Sequence, residues 1–126
     1  MSKIVIVDDS KDLLDILKYY LEEKGYEVEV ASRKKDLLSI IKSFTPDLLV
    51  LDIFLQGEDG RNICKDLKTH KETENMCILM FSASPKALGN YKEYGADGFI
   101  EKPFGLDEII EKIEATIESC KQSHLH

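Results

Sequence analysis

The chain has 126 residues, of which 43% are hydrophobic and 33% charged, and its formal net charge is −7 at pH 7. This length and composition suit one folded domain and argue against a disordered chain. The negative charge argues against a non-specific nucleic-acid surface, and no apolar run approaches the roughly 20 residues of a membrane span.

The first half of the chain alternates strand-like and helix-like segments. "KIVIV" at 3–7 is a β-branched run typical of a strand buried on both faces. A helix follows, with Ser10 as its N-cap and Gly25 as its stop. "YEVEVA" at 26–31 alternates apolar and polar residues, as an edge strand does, and a second helix ends near Thr45-Pro46.

The second half continues this alternation. Apolar strands are predicted at 47–51 and 77–81, separated by a loop at 57–60, a short helix and a polar connector. A fourth helix is predicted to begin at Ser84-Pro85 and to end by Gly95. The last elements are a short strand at 98–100 and a fifth helix with apolar residues from Leu106 to Ile117.

This (βα)5 alternation predicts an α/β fold in which a doubly wound parallel sheet carries helices on both faces. Five strands of this size most often take the order 2-1-3-4-5, and an order beginning 3-2-1 is the alternative. We assign residues 1–121 to one domain and residues 122–126 to a C-terminal tail.

The three cysteines, Cys64, Cys77 and Cys120, are scattered without a metal-type spacing. This pattern predicts reduced thiols in a cytosolic protein, with Cys77 in the core. No secretory signal is visible, because "KIVIV" is too short and two acids follow it at once. We therefore expect a cytoplasmic protein.

Polar residues stand at the carboxyl ends of the predicted strands. Asp8 and Asp9 follow the first strand, Asp52 the third, Ser82 the fourth and Lys102 the fifth. Ligands of such sheets bind at this edge, at the switch point between strands 1 and 3. The three carboxylates would be crowded there, and their proximity should raise the pKa of at least one.

An oxygen-rich pocket of this kind suits Mg²⁺, whereas the absence of histidine from the motifs disfavours zinc or copper. Lys102 would pair with a carboxylate or with an added phosphoryl group. The Ser82 hydroxyl would bond a phosphoryl oxygen. The buried charge of Asp52 would then be compensated by a metal ion and by Lys102.

The chain resembles the receiver domain of bacterial two-component response regulators. The resemblance spans essentially the whole chain and implies the flavodoxin-like fold. Such a receiver is either a stand-alone chemotaxis-type or phosphorelay regulator, or part of a larger protein. The motifs that carry the resemblance are "IVIVDDS" (4–10), "PDLLVLDIFLQGEDG" (46–60), "ILMFSAS" (78–84) and "GADGFIEKPF" (95–104).

The resemblance implies a role for each residue at the strand ends. Asp52 matches the phosphoacceptor, whose carboxylate attacks a phosphoryl group supplied by a histidine kinase or phosphotransfer protein. Asp9 matches the direct Mg²⁺ ligand and Asp8 the second acid. Asp52 and the backbone carbonyl of Phe54 match the remaining protein ligands of the metal.

Three further positions match the switch of the family. Ser82 matches the switch hydroxyl and Lys102 the lysine that stabilises the phosphoryl group. Phe99 stands where the family keeps a rotamer-switching aromatic, and we expect it to be a core residue. The resemblance also implies a cis peptide bond between Lys102 and Pro103, although most bonds before proline are trans.

The implied activity is that of a switch, in which phosphorylation changes a surface made of the predicted fourth helix, fifth strand and fifth helix. That surface would control a downstream protein or an attached output domain. The resemblance implies that the protein is not an enzyme for other substrates: it catalyses only its own phosphoryl transfer and the slow hydrolysis of its acyl phosphate. We expect no direct contact with nucleic acid or membrane, and a monomer before phosphorylation.

The chain departs from the family pattern in three places. Gln56 and Gly57 stand where a proline is usual, Phe99 lacks the hydroxyl of the commoner tyrosine, and Phe54 is bulky and apolar. We expect Phe54 to slow the access of water to an acyl phosphate.

Three other readings of the pocket can be weighed from the residues. A haloacid-dehalogenase-type phosphatase would need an acid where Phe54 stands, and "DDSKD" would repel the phosphate of a flavin. A binding module that keeps the fold but works without phosphorylation stays open as the alternative.

Overall fold

Five parallel strands form the central sheet in the computed structural model, which describes residues 2–55, 57–83, 86, 89 and 91–124. A separate pair of two-residue strands, β4 and β5, follows β3 in the chain. The seven strands are β1 (Lys3–Val7), β2 (Glu27–Ala31), β3 (Leu48–Asp52), β4 (Phe54–Leu55), β5 (Glu58–Asp59), β6 (Cys77–Ser82) and β7 (Gly98–Glu101).

The order of the strands in the sheet is β2-β1-β3-β6-β7, with every neighbouring pair parallel. Counting only these five strands, this is the order 2-1-3-4-5, so the predicted α/β flavodoxin-like architecture is confirmed. The switch in strand order lies between β1 and β3, and crevices at such switch points bind ligands.

Four α-helices flank the sheet within the part of the chain that the structure describes: α1 (Lys11–Glu23), α2 (Lys34–Phe44), α3 (Gly60–Lys68) and α4 (Leu106–His124). The last of these is the fifth helix of the sequence prediction. It runs to His124, and the division between domain and tail at residue 121 stays a prediction. No helix among the described residues has the length and apolar character needed to cross a membrane.

Local side-chain chemistry sets the ends of α1 as predicted. The Ser10 hydroxyl accepts a hydrogen bond from the Leu13 N–H at 3.3 Å and so satisfies one of the free amides of the first turn. At the other end, Gly25 adopts φ 97°, and the Tyr26 N–H donates to the Leu21 carbonyl. Glycine closes the helix there because it reaches positive φ without steric penalty.

Two segments, at 57–60 and at 84–95, do not match the prediction in full. The loop expected at 57–60 instead contains β5, which pairs antiparallel with β4, and the first residue of α3. The predicted start of the fourth helix, Ser84-Pro85, lies outside the described residues. Residues 91–95 form turns where the end of that helix was predicted, and Gly95 closes them with φ 91°.

The core has two halves, one on each face of the sheet, because successive residues of a strand point to opposite faces. One half packs β-strand side chains such as Val5 and Leu49 against α2 and α3. The other packs their neighbours Ile4 and Leu48 against α1 and α4. Because both faces of the sheet are covered, the interior positions of β1, β3 and β6 are apolar, and their polar residues stand only at the strand ends.

The expectation that all the cysteines are reduced thiols is wrong for one pair. A disulfide joins Cys77, at the start of β6, to Cys120 near the end of α4. Cys77 belongs to the core half beneath α1 and α4, and half-buried Cys120 packs against that half, so the packing of α4 brings the two cysteines together. Cys64 is free and buried, and burial raises the pKa of its thiol to about 12.

Candidate functional site

The carboxyl ends of the central strands bring Asp8, Asp52 and Ser82 to one edge of the sheet. Val7, the last residue of β1, lies opposite Leu51 in β3, so the residues that follow these two, Asp8 and Asp52, lie side by side. All three polar residues are buried, with 2%, 6% and 0% of their surface exposed. Buried polar groups of this kind need partners.

Lys102 supplies the partner for both carboxylates. Its ammonium Nζ lies 2.9 Å from Oδ2 of Asp8 and 3.4 Å from Oδ2 of Asp52. Two features hold the lysine in this place. Its backbone N–H donates to the Ser82 carbonyl at 2.7 Å, and its Nζ lies 4.8 Å from the centre of the Phe81 ring.

The other oxygen of each carboxylate accepts a backbone hydrogen bond from the residue two positions later. The Ser10 N–H donates to Oδ1 of Asp8 at 2.7 Å, and the Phe54 N–H donates to Oδ1 of Asp52 at 3.2 Å. The carboxylates are therefore oriented by the chain that follows their strands, with Oδ2 of each turned toward Lys102.

The electrostatic balance of this cluster is negative, because one ammonium faces two carboxylates. Burial raises the pKa of Asp52 to about 6, Lys102 opposes this shift, and the charge of Asp8 adds to it. Burial acts to lower the pKa of Lys102, but the hydrogen bond to Asp8 and the charge of Asp52 raise it overall. A further cation would relieve the excess negative charge.

The donor set fits a hard divalent cation such as Mg²⁺, which prefers carboxylate, carbonyl and water oxygens. Asp8 and Asp52 supply buried carboxylates, and Asp9 adds an exposed one beside them. Among the described residues, three potential ligand atoms lie within 4.8 Å of one another at Cys77, Asp97 and Cys120. The oxygens of Asp8, Asp9 and Asp52 are not that close together.

Phe99 does not lie in the core, so that expectation is wrong. It is 39% exposed and lies in β7 opposite Met80. The residue of β7 that lies opposite Ser82 is Glu101, two positions further along. Its ring contacts Tyr91, with 4.8 Å between the ring centres, and the Lys112 ammonium lies 5.9 Å from it. Phe99 therefore points outward in this structure, and its switch role stays a prediction.

Gly60 is a residue of the site that sequence reasoning missed. A Cβ at this position would clash with the Asp52 carbonyl oxygen and would lie 2.9 Å from the Cα of Ile53. The Gly60 N–H also donates to the Ile53 carbonyl at 2.6 Å. The start of α3 thus packs directly on the backbone that carries Asp52, and the only sequence signal was the glycine that closes "GEDG".

Arg61 is a second missed residue, and it lies at the exposed rim of the site. Its guanidinium forms a salt bridge with Asp59 at 2.8 Å and lies 5.8 Å from the ring centre of Phe54. The hydrogen bonds from Arg61 lower the pKa of Asp59. Phe54 itself is 52% exposed, so its ring covers the rim without filling the core.

The peptide bond between Lys102 and Pro103 is cis, as the resemblance implies. The sequence-predicted residues thus divide into two groups. Asp8, Asp52 and Lys102 are in direct contact, and Ser82 is buried at the same edge of the sheet. Asp9, Phe54 and Phe99 are exposed, the first two beside this cluster in the chain and the third on the outer part of β7.

The profile of the response regulator receiver domain family matches residues 4–114. The chain belongs to this family. The matched range runs from β1 into α4 and includes every residue of the cluster around Lys102.

Solved structures of other receivers are similar to this one. A response regulator receiver domain protein (CheY-like) from Methanospirillum hungatei shares 30% identity over 98% of each chain, with a TM-score of 0.85. The chemotaxis response regulator CheY4 of Vibrio cholerae shares 25% identity over 92% of this receiver and 98% of its own chain, with a TM-score of 0.84.

A longer relative contains a similar domain. NtrX from Brucella abortus shares 31% identity over 98% of this receiver, with a TM-score of 0.89, but the match covers 29% of the NtrX chain. The same fold is therefore found both in a chain of similar length and as part of a longer chain.

Proposed function

We propose that this receiver accepts a phosphoryl group on Asp52 from a histidine kinase or a histidine phosphotransfer protein, in a reaction that depends on Mg²⁺. The phosphorylated receiver then controls a downstream protein or an attached output domain. Its only enzymatic activity is its own phosphoryl transfer and the slow hydrolysis of the acyl phosphate.

The observation that supports this proposal most strongly is the cluster of Asp8, Asp52 and Lys102. Two buried carboxylates share one ammonium there, and a buried charge without full compensation is costly. A site with excess negative charge and a lysine at hand suits a cation and a phosphoryl group together. Perturbed pKa values such as that of Asp52 are common at functional sites.

In the proposed reaction an Asp52 oxygen attacks phosphorus, and the bond from phosphorus to the donor imidazole nitrogen breaks. The imidazole leaves with the electron pair of that bond. In-line phosphoryl transfer needs positioning and charge neutralisation more than covalent assistance. The Phe54 N–H orients the attacking carboxylate, and Lys102 neutralises the phosphoryl oxygens as they arrive.

Asp8, Asp9, Asp52 and the backbone carbonyl of Phe54 would hold the Mg²⁺. When bound, the ion would supply further neutralisation of charge on the transferring phosphoryl group. It would also favour the ionised form of Asp52, which is the nucleophilic form and which burial disfavours.

The new charge on Asp52 would attract the hydroxyl of Ser82, which lies buried at the end of β6. We expect this movement to open space that Phe99 can fill. Phe99 would then leave its contact with Tyr91 and become less exposed. The outer surface of β7 and α4 would change as a result, which is the proposed signal to the partner.

The test is to incubate the protein with acetyl phosphate and Mg²⁺ and to measure its intact mass. We expect the wild type to gain one phosphoryl group and to lose that gain when Mg²⁺ is removed by a chelator. Asp52→Asn should gain none. Asp66→Asn, which changes an exposed aspartate of α3, is the matched control and should behave as the wild type.

The experiment separates the proposal from its alternative. If a folded wild-type protein gains no phosphoryl group from acetyl phosphate or from a phosphotransfer donor, the chain is a binding module that works without phosphorylation. Gain of a phosphoryl group by Asp52→Asn would place the acceptor elsewhere and would also contradict the proposal.

A further inference from the structure

The Cys77–Cys120 disulfide lies at the amino edge of the sheet, at the end of β6 opposite Ser82. Nothing in the proposed phosphoryl chemistry uses it. Cys120 borders two cavities, one of about 580 Å³ and one of about 240 Å³. A disulfide beside open space can meet other molecules, unlike one sealed in a core.

We propose that Cys77 and Cys120 form a thiol–disulfide exchange site, which reacts with a small zwitterionic peptide thiol through the larger cavity. The pair would thereby report the thiol redox state of its surroundings. This inference does not depend on the phosphorylation of Asp52.

The larger cavity has the size and lining that such a thiol needs. It lies between the end of α2, the start of β3, the connector before β6 and α4. Its walls include the apolar side chains of Ile41, Met76 and Ile117. Charges of both signs also line it, which suits a ligand with ammonium and carboxylate groups; they belong to Lys42, Lys121, Asp47 and Glu72.

The two cysteine residues differ in exposure. Cys77 is 2% exposed and belongs to the core, whereas Cys120 is half-buried and lines both cavities. Exchange requires a thiolate to reach one sulfur of the disulfide. The geometry therefore directs attack to Cys120 and makes Cys77 the leaving group.

Both redox states are accommodated by the same fold. The Cα atoms are 6.1 Å apart, within the ordinary range for a disulfide. In this structure the Thr116 carbonyl lies 3.7 Å from the Cys77 sulfur, close enough to accept a hydrogen bond from the thiol that reduction would form. A polar partner for the buried thiol is thus already in place.

A metal site is the competing interpretation, because the ligand atoms of Cys77, Cys120 and Asp97 lie within 4.8 Å of one another. However, Oδ2 of Asp97 already accepts hydrogen bonds from the Lys68 ammonium at 3.0 Å and the Ile78 N–H at 2.8 Å. Lys68 therefore supplies the positive charge that a cation would otherwise supply, which favours disulfide chemistry.

The exchange proceeds in two steps. The thiolate of the small thiol attacks the Cys120 sulfur, a new S–S bond forms, the Cys77–Cys120 bond breaks, and Cys77 leaves as a thiolate that takes up a proton. A second small thiolate then attacks the mixed disulfide at the sulfur that came from the first small thiol. Cys120 leaves as a thiolate and takes up a proton. Two small thiols are oxidised to their disulfide, and the protein gains two electrons and two protons.

The test is a titration of the full chain in buffers of reduced and oxidised glutathione, followed by acid quenching, alkylation and intact mass. We expect the thiols of Cys77 and Cys120 to disappear together as the buffer becomes oxidising, while Cys64 stays a thiol. Oxidation should raise the melting temperature on the order of 10 °C, because it closes a long loop, with a sequence separation of 43.

Two variants test the direction of attack. In oxidised glutathione, Cys77→Ser should retain one glutathione on Cys120, whereas Cys120→Ser should retain none, because Cys77 is buried. Cys64→Ser is the matched control and should titrate as the wild type. The titration of the wild type stands even if a variant fails to fold.

Three results would overturn the proposal. The wild type could keep all its thiols in the most oxidising buffer, which would show that the pair does not exchange. Equal glutathione adducts on the two single variants would contradict the asymmetry. Stoichiometric binding of Zn²⁺ to the reduced protein, lost in Asp97→Asn, with no disulfide formed in glutathione, would make the cluster a metal site.

Discussion

The two edges of the sheet place different chemistry at the two ends of the same strands. At the carboxyl edge, Asp8, Asp52 and Lys102 are held by ion pairs and backbone hydrogen bonds, and the charges do not balance. At the amino edge, Cys77 and Cys120 are held by a covalent bond beside a large cavity. Strand β6 links the edges, with Cys77 at its start and Ser82 at its end.

The difference shows where this fold is rigid and where it can respond. The middle of β6 is fully buried between two core halves and leaves little room for change. Its ends are the places where a charge or a thiol can be added without opening the core. Mutations at the carboxyl edge should therefore act through charge or backbone contact, and their effects should depend on metal and pH.

Gly60→Ala should have the largest effect on the carboxyl edge. The new Cβ would meet the Asp52 carbonyl oxygen and the Ile53 Cα, which are backbone atoms that cannot move aside. We expect a loss of about 3 kcal/mol in the free energy of unfolding, at the upper end for overpacking. Urea unfolding measures this loss.

Gly105→Ala is the control for that substitution. Its Cβ would meet the flexible end of the Glu108 side chain, 3.3 Å away, and should cost little. Equal stability of the two variants would show that the start of α3 does not press on the Asp52 backbone.

Lys102→Met should have a smaller effect that depends on the metal. The thioether chain can still cover Phe81, but Asp8 and Asp52 lose their shared ammonium. We expect the free energy of unfolding to fall by about 2 kcal/mol near neutral pH. This is less than for a fully buried ion pair, because the lysine lies at the rim. Added Mg²⁺ should restore part of it.

Lys112→Met, on the exposed face of α4, provides the comparison for this loss. Such a surface change should alter stability by less than about 0.5 kcal/mol and should show no response to Mg²⁺. A Lys102→Met protein as stable as Lys112→Met without metal would mean that the two buried carboxylates need no cation.

The carboxyl edge could be predicted from the sequence because each strand and its last polar residue are local features. Asp52 and Ser82 follow unbroken apolar runs, and a parallel sheet aligns the ends of such runs automatically. The number and size of the elements favoured the observed sheet order, with an order beginning 3-2-1 as the alternative that only the structure removed. The direct contacts of Lys102 needed only its place after the last strand.

The disulfide of the amino edge and the positions of Gly60 and Phe99 could not be predicted in the same way. The disulfide depends on how α4 lies across β6, since Cys77 and Cys120 are 43 residues apart in sequence. The place of Gly60 depends on the backbone of Asp52, which chain spacing does not reveal. Phe99 lies outward because of its position in the pleat of a four-residue strand, too short to show an alternation.

Asp52→Asn should have the smallest effect on stability. It should raise the free energy of unfolding, whereas Gly60→Ala and Lys102→Met should lower it. Because the pKa of Asp52 is raised to about 6 in the folded protein, its ionisation disfavours the folded state. This penalty is absent below the unfolded pKa, grows between about pH 4 and pH 6 and is complete above that range. Without metal, the neutral amide should therefore stabilise the protein by about 1 kcal/mol near neutral pH, discounted for solvent at the rim.

The pH dependence and a paired variant decide whether this gain comes from charge. The stability difference between Asp52→Asn and the wild type should shrink as the pH falls from about 6 and should vanish at about pH 3, below the unfolded pKa of about 3.9, where the aspartate is protonated in both states. Asp59→Asn should show the opposite sign, because hydrogen bonds from Arg61 lower the pKa of Asp59 and its ionised form favours folding. Added Mg²⁺ should stabilise the wild type and remove the advantage of Asp52→Asn. An advantage that persists at low pH or in Mg²⁺ would show that packing, rather than an uncompensated carboxylate, distinguishes the carboxyl edge.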